Sequence, residues 1–388
     1  MSKTPLRSRE WIERLIAFPT VSRDSNLALI ECVRDFLAAH GVDALLVHDE
    51  SGKKANLYAT LGPKDRPGIM LSGHSDVVPV DGQDWHGDPF VLSERGGKLY
   101  GRGTSDMKSF IAIVLAFVPV FLKRRLSLPI HLAISYDEEI GCIGVRRLIA
   151  QFDAMPVRPA FCVVGEPTLM QVVRGHKGKL GCRCSVRGLE SHSALTHRGV
   201  NAVEIAAEMI AYLRRMRRRI EEKGPFEEGY DPPHTSVHTG VVRGGTQLNI
   251  VPRDCVFDFE FRNLPSEDPR LLLEEVMGFA ERELLPGMRA MSAETGIRWE
   301  TLSNSPGLDT DEEAAVTRLL KQLTGGNSTG KVSFGTEGGL FAEAQIPTIV
   351  CGPGSIEQAH KPDEWVELDQ IARCEAFMER LAEHAARG

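Results

Sequence analysis

The chain has 388 residues, 42% hydrophobic and 26% charged, and its 46 Lys+Arg against 53 Asp+Glu give a net charge of −7. These values exclude collagen-like, intrinsically disordered and disulfide-scaffold proteins and provide no global basic field for nucleic acid. At roughly 100–200 residues per domain, the length predicts two domains or more.

Cysteines at 32, 142, 162, 182, 184, 255, 351 and 374 form no CxxC pair, so free thiols in a reducing, cytoplasmic setting are expected. The opening segment MSKTPLRSREWIERLIAF carries charges where a secretory leader keeps its apolar stretch. The longest apolar run, Phe110–Leu122, is about 13 residues against the roughly 20 that span a membrane, so no membrane partner is expected.

Up to about Glu166, apolar strand-like runs alternate with helical stretches: strand Gly68–Leu71, helix Phe110–Leu122, strand Pro129–Tyr136, a helix after Gly144, and strand Ala160–Val164. This βαβ rhythm predicts an α/β domain whose mostly parallel sheet is buried between helices, with active residues at the carboxyl ends of strands. From about Gly178 the order becomes strand Leu180–Arg187, helix Val200–Ile220, strands Val237–Arg243 and Val256–Arg262, helix Arg270–Leu284 and strand Ile297–Leu302. That is βαββαβ, a ferredoxin-like α+β insert. Its first helix places Val203, Ala206, Ile210, Leu213 and Met216 on one face, and Arg214, Arg215, Arg217, Arg218 and Arg219 read as a solvated helix end favoured by the dipole. The α/β rhythm then resumes with helix Asp311–Leu323, strand Pro347–Cys351 and a last helix from Asp369. The expected division is 1–177 and 303–388 as two parts of one catalytic domain, with 178–302 inserted.

The chemistry-bearing residues recur at strand ends. In SGHSDVV, His74 and Asp76 lie two apart and, if both are in a strand, face the same side. In GRGTSDMK the glycines permit tight turns that deliver Asp106 at a helix N-terminus, although an N-cap aspartate is the plainer reading. Asp137, Glu138 and Glu139 follow a buried strand, where adjacent carboxylates are costly without a compensating cation. Glu166 ends another apolar run, and His360 lies in a loop after a third. Taken together, His74, Asp106, Glu139, Glu166 and His360 suit two divalent ions, such as zinc, cobalt or manganese, sharing one bridging carboxylate. Without cysteine in the set, an open catalytic centre is favoured over a closed structural one. His40, His48, His131 and His384 read as core or surface residues, and His176, His197, His234 and His238 receive no role.

The segments SGHSDVVPV, GRGTSDMK, YDEEIGCIG, VVGEPT, ESHSA, LNIVPRD, FGTEGG and AHKPDEW run in order across residues 72–365. In them the chain resembles the di-metal aminoacylase and carboxypeptidase family, which includes acetylornithine deacetylases, succinyl-diaminopimelate desuccinylases and glutamate carboxypeptidases. The resemblance implies that His74 and Glu166 hold one metal, Glu139 and His360 the other, and Asp106 bridges them. It implies that Asp76 orients His74, that Glu138 is the general acid/base, and that His192 reaches into the site of a partner subunit in a homodimer formed through the insert. Arg262 corresponds to an arginine that pairs a substrate α-carboxylate, while Asn249, Gly335 and Thr336 match substrate-contacting positions. Glu337 is placed to meet an ornithine-type ammonium. Ser109 departs from the glycine many relatives carry there.

GEPTLMQVVRGHKG and FGTEGG resemble the acetylornithine deacetylase branch. The implied reaction is therefore removal of acetyl from N2-acetyl-L-ornithine, a step of arginine biosynthesis. A desuccinylase, or a dipeptidase or carboxypeptidase of the same family, is the alternative, and a non-catalytic binding protein that keeps the fold is the alternative of another class. Glu138 beside five intact ligands discriminates against the last of these.

Overall fold

The computed structural model describes residues 6–387, so the first five residues of the opening segment and Gly388, where the last expected helix ends, lie outside it. In the first stretch, helices α1 (Arg9–Ile16) and α2 (Leu27–Ala39) precede strands β1 (Ala44–His48), β2 (Ala55–Leu61) and β3 (Ile69–His74). Helix α3 (Lys108–Lys123), strand β4 (Ile130–Ser135), helix α4 (Val145–Phe152) and strands β5 (Phe161–Pro167) and β6 (Val172–His176) follow. Every residue of β3 and β4 is buried, as a strand covered on both faces requires. Helix α3 is buried continuously from Lys108 to Val118, in keeping with its unbroken apolar run.

Next come strand β7 (Lys179–Arg187), helix α5 (Ala202–Lys223), strands β8 (Ser236–Gly244) and β9 (Asp254–Arg262), helices α6 (Pro269–Phe279) and α7 (Leu285–Met291), and strand β10 (Gly296–Ser305). The chain then forms helices α8 (Ala315–Thr324) and α9 (Gly338–Glu343), strand β11 (Thr348–Gly352) and helix α10 (Leu368–Arg387). Two compact units result: residues 1–175, 308–331 and 336–388 form the first, and 176–307 with 332–335 the second.

The first unit is built on a sheet ordered β1-β2-β4-β3-β5-β11-β6, with the short strand Leu308–Asp309 next to β6. Its centre, β4-β3-β5-β11, is parallel, whereas β1, β2 and β6 join antiparallel. Since β3, β4, β5 and β11 run the same way, their carboxyl ends share one edge. At Gly165 on β5 an added Cβ would come within 2.1 Å of the Phe110 ring, so glycine is what lets α3 approach that strand. No helix among the described residues is long and apolar enough to cross a membrane.

The second unit is an antiparallel sheet ordered β8-β9-β7-β10, the ferredoxin-like order, with α5 and α6 packed on it. Leu180, Cys182, Cys184 and Val186 alternate inward along β7 and meet Phe257, Phe259 and Phe261 of β9. Two expectations shift. The buried stripe of α5 is Ala206, Met209, Leu213, Met216 and Ile220, with Val203 and Ile210 at its margins, because the face turned to the sheet and not the spacing alone sets which residues are covered. The helix expected over Arg270–Leu284 ends at Phe279 and continues through a π-helical turn, Ala280–Leu284, into α7. The arginine-rich end of α5 is partly paired: Arg219 makes two 2.7 Å bonds to Glu275, and Arg217 one of 2.7 Å to Glu221.

Candidate metal centre

All five expected ligands lie in the first unit, at or just beyond the shared strand edge. His74 closes β3; Glu138 and Glu139 follow β4; Glu166 is the penultimate residue of β5; His360 follows β11; and Asp106 comes from the loop before α3. Gly103 in that loop has φ +89°, a conformation side chains rarely adopt, and it allows the turn that brings Asp106 inward. Asp106 is not the N-cap of α3, a position Met107 holds.

The geometry centres on the Asp106 carboxylate. Its Oδ1 lies 3.1 Å from Nε2 of His74, and its Oδ2 lies 3.3 Å from Nε2 of His360. On the first side Glu166 Oε1 is 3.5 Å from His74 Nε2; on the second, Glu139 Oε2 is 3.0 Å from His360 Nε2. One carboxylate therefore faces two imidazoles through separate oxygens, and each imidazole has its own further carboxylate. Ligand atoms of His74, Asp106 and Glu139, and of His74, Glu138 and Glu166, also converge closely enough to hold an ion.

The electrostatics fit a cation. Burial, reinforced by the charge of Asp106, pushes the Glu166 carboxyl up to about 8, and burial also raises Glu138 and Glu139. Burial opposes charge on His74, but Asp106, Asp76 and Glu166 outweigh it and raise that imidazole. Asp106 and Glu139 raise His360 to about 10. Without a metal these carboxylates are either kept neutral by burial, as Glu138, Glu139 and Glu166 are pushed to be, or balanced by protonated histidine, as Asp106 is, and a divalent cation would supply that compensating charge.

Asp76 lies beside the His74 imidazole, though not by sharing a strand with it. Strand β3 stops at His74, so the two residues do not share a strand face. Nδ1 of His74 is 2.9 Å from the main-chain oxygen of Asp76 and 3.5 Å from its carboxylate. That carboxylate, while facing the imidazole, also accepts from the backbone N–H of Glu138 (3.1 Å) and of Glu139 (3.3 Å) and from the Ser22 hydroxyl (2.7 Å). It thus fixes the turn that presents both glutamates, an outer contact of the kind that orients metal ligands.

A second anchor, Glu364, went unassigned in the sequence despite standing in AHKPDEW. Its carboxylate accepts from the backbone N–H of Gly103 (3.1 Å), Ser105 (2.8 Å) and Asp106 (3.0 Å), and from Arg102 Nη1 (2.7 Å). Only the tertiary structure brings this glutamate under a loop some 260 positions earlier.

Thr336 and Glu337 are buried in the first unit. The Thr336 hydroxyl accepts from Gly338 N at 2.9 Å, while Glu337 is 1% exposed, with Oε1 lacking a hydrogen-bond partner and its carboxyl raised by burial to about 7. His192, Asn249, Arg262 and Gly335 fall in the second unit. There His192 is exposed, its Nδ1 accepts from Ala194 N at 3.1 Å, and its neighbour Ser193 donates to the Asn249 carbonyl at 3.0 Å. Arg262 donates to Glu260 Oε1 at 2.9 Å. The structure thus gathers the expected metal ligands and Glu138 in one unit and sets His192 beside Asn249 in the other.

Comparison with known proteins agrees with this chemistry. The profile of Peptidase family M20/M25/M40 matches residues 70–384. The acetylornithine deacetylase of Myxococcus xanthus is 33% identical over 100% of both chains, and that of Pasteurella multocida 32% identical over 95% of both. Among solved structures, an M20 family metallo-carboxypeptidase from Sulfolobus solfataricus superposes with a TM-score of 0.77 at 17% identity, covering 99% of this chain and 100% of that one. A dinuclear metal binding peptidase from Bacillus subtilis gives 0.67 at 15% identity over 98% of both chains. The chain belongs to peptidase family M20/M25/M40 and is a metal-dependent hydrolase of an amide bond.

Proposed function

We propose that the chain hydrolyses N2-acetyl-L-ornithine to L-ornithine and acetate in the cytoplasm, using two divalent ions, zinc foremost. His74 and Glu166 would hold one ion, Glu139 and His360 the other, and Asp106 both. The observation that carries this assignment is the Asp106 carboxylate, with Oδ1 facing His74 and Oδ2 facing His360. The full-length relatives named acetylornithine deacetylase support the choice of substrate.

Bound divalent ions polarise a carbonyl and lower the pKa of water from 15.7 to about 7. Glu138 takes the proton released as water adds to the amide carbon and returns it to the leaving nitrogen as the C–N bond breaks. A base that must give its proton back needs a raised pKa, the direction in which burial moves Glu138. Asp76 holds the turn carrying Glu138 and Glu139. Arg262 pairs the substrate α-carboxylate, with Asn249, Gly335 and Thr336 at neighbouring contacts, and Glu337 meets the side-chain ammonium. His192 acts on the site of a second copy, in a homodimer formed through the inserted domain. The edge strand β8, with Val241 and Val242 exposed at 39% and 52%, supports such a partner.

Steady-state kinetics on N2-acetyl-L-ornithine, N-succinyl-diaminopimelate and a dipeptide test the assignment. The acetylated substrate should have the highest kcat/KM, and chelation should abolish turnover until metal returns. A higher kcat/KM on either competitor would refute the substrate, and full activity after exhaustive metal removal would refute the site.

A further inference from the structure

Three successive carboxylates, Asp137, Glu138 and Glu139, follow β4, and the last two belong to the groups that converge at the metal centre. Asp137 instead pairs with a cation from its own chain. Lys54, the residue before β2, donates from Nζ to Asp137 Oδ1 at 2.5 Å, the two side chains being 15% and 11% exposed. The same ammonium donates to the Ser22 carbonyl. Ser22 donates through its hydroxyl to Asp76 Oδ2 at 2.7 Å, and the Asp76 carboxylate accepts from the backbone N–H groups of Glu138 and Glu139. The contacts close into a ring that runs from Lys54 to Asp137, through the N–H groups that follow it to Asp76, and by Ser22 back to Lys54.

Lys54 is itself firmly seated. Its N–H donates to Asp49 Oδ1 at 3.0 Å, and its carbonyl accepts from Asp49 N at 2.9 Å. The next residue, Ala55, exchanges two bonds with the Asn26 side chain, at 3.0 and 2.9 Å. Asp137, by contrast, adopts φ +56°, a conformation uncommon for a residue with a side chain and one that persists where its surroundings impose it. A seated ammonium on the Asp137 carboxylate imposes it, and offsets negative charge beside Asp76, Glu138 and Glu139. We propose that Lys54 is a positioning residue: through Asp137 and Ser22 it sets the turn that aims Glu138 at the reacting water and Glu139 at the metal. This rests on Glu138 being the proton carrier and Glu139 a ligand.

Lys54→Met keeps the length of the side chain and removes its charge. In a competitive zinc titration of the folded full chain it should weaken zinc binding by about tenfold, the worth of one charge-assisted hydrogen bond. It should lower kcat by about as much while KM stays within about twofold, on whichever substrate wild type turns over fastest. Lys53→Met, the same change at an exposed neighbour, should alter neither. Since Lys54 and Asp76 grip one turn, the double variant of Lys54→Met with Asp76→Ala should lose zinc affinity by at least about threefold less than the product of the single losses. If Lys54→Met does not fold, Asp137→Asn replaces it in the same cycle. A lower urea midpoint with zinc affinity and kcat intact would reduce the pair to a structural contact and overturn the proposal. So would single losses that simply multiply, or equal losses in Lys53→Met. Failure of the substrate assignment shows separately, as a higher wild-type kcat/KM on a competitor, and failure of Glu138 as proton carrier as near-normal kcat in Glu138→Ala; the zinc cycle stands apart from both.

Discussion

Replacing Glu364 with Gln probes how the loop carrying Asp106 is held. The Arg102 and Glu364 side chains are 1% and 0% exposed, so solvent screens their pairing little. Oε1 of Glu364 accepts from Ser105 N and Asp106 N, and Oε2 from Arg102 Nη1 and Gly103 N. Glutamine keeps the shape but has one amide oxygen, so whichever way it turns, its NH₂ opposes two of the four donors. Two buried donors left without an acceptor cost about 2–6 kcal/mol together, and breaking a buried ion pair from one side costs about 3–5 kcal/mol. Since these describe the same loss, the expected destabilisation is about 3–5 kcal/mol, not their sum. Arg102 keeps Gln83 Oε1 at 2.7 Å, which favours the lower half of that range. Urea unfolding of the metal-free protein reads the stability, and a competitive zinc titration of the folded variant reads Asp106 placement, with weaker affinity expected. A change below about 1 kcal/mol together with wild-type zinc affinity would show that Glu364 does not anchor the loop.

Glu138→Ala should retain metal, measured by elemental analysis, and lose nearly all turnover; near-normal kcat would remove Glu138 as the proton carrier. Asp76→Ala frees the backbone N–H groups of Glu138 and Glu139 and should weaken metal binding by about 10–100-fold, the usual effect of losing an outer contact to a ligand. His131, 3% exposed and bonded to Thr60 at 3.0 Å, is depressed by burial from 6.5 to about 4. Between those values the unfolded chain binds the extra proton, so the stability this histidine contributes is complete above pH 6.5 and is lost as pH falls towards 4, by about 3 kcal/mol at most. His131→Asn should therefore lose less stability than wild type between pH 7.5 and 4.5 in urea unfolding; equal losses would contradict the assignment.

Much of the fold is local information. Apolar runs covered on both faces read as the parallel strands β3, β4 and β5, and period-two alternation with Phe257, Phe259 and Phe261 marks a half-buried strand in the insert, because side-chain direction follows directly from backbone period. Helices α1 and α2 and strands β1 and β2 were not singled out, and the places of β1 and β2 come from antiparallel pairing beside the central strands. For the same reason Met209 replaced Ile210 on the buried face of α5: the stripe's position is set by the sheet it meets.

The candidate site divides along the same line. Residue types at strand ends are visible in the sequence, and His74, Asp106, Glu138, Glu139, Glu166 and His360 were named from them. Which oxygen meets which imidazole was not visible. His74 and Asp106 are 32 positions apart and His360 and Glu139 are 221 apart, so their contacts exist only once parallel strands bring their carboxyl ends to one edge. The roles of Asp76 and Glu364 depend further on backbone N–H groups in turns, which carry no side-chain signature. The sequence by itself determined the chemical inventory and the alternation of elements, because both are written in residue type and short-range period. The tertiary structure alone decided how Asp106 divides its two oxygens and what holds the loops in place, because hydrogen bonds between distant segments depend on distances that no local pattern encodes.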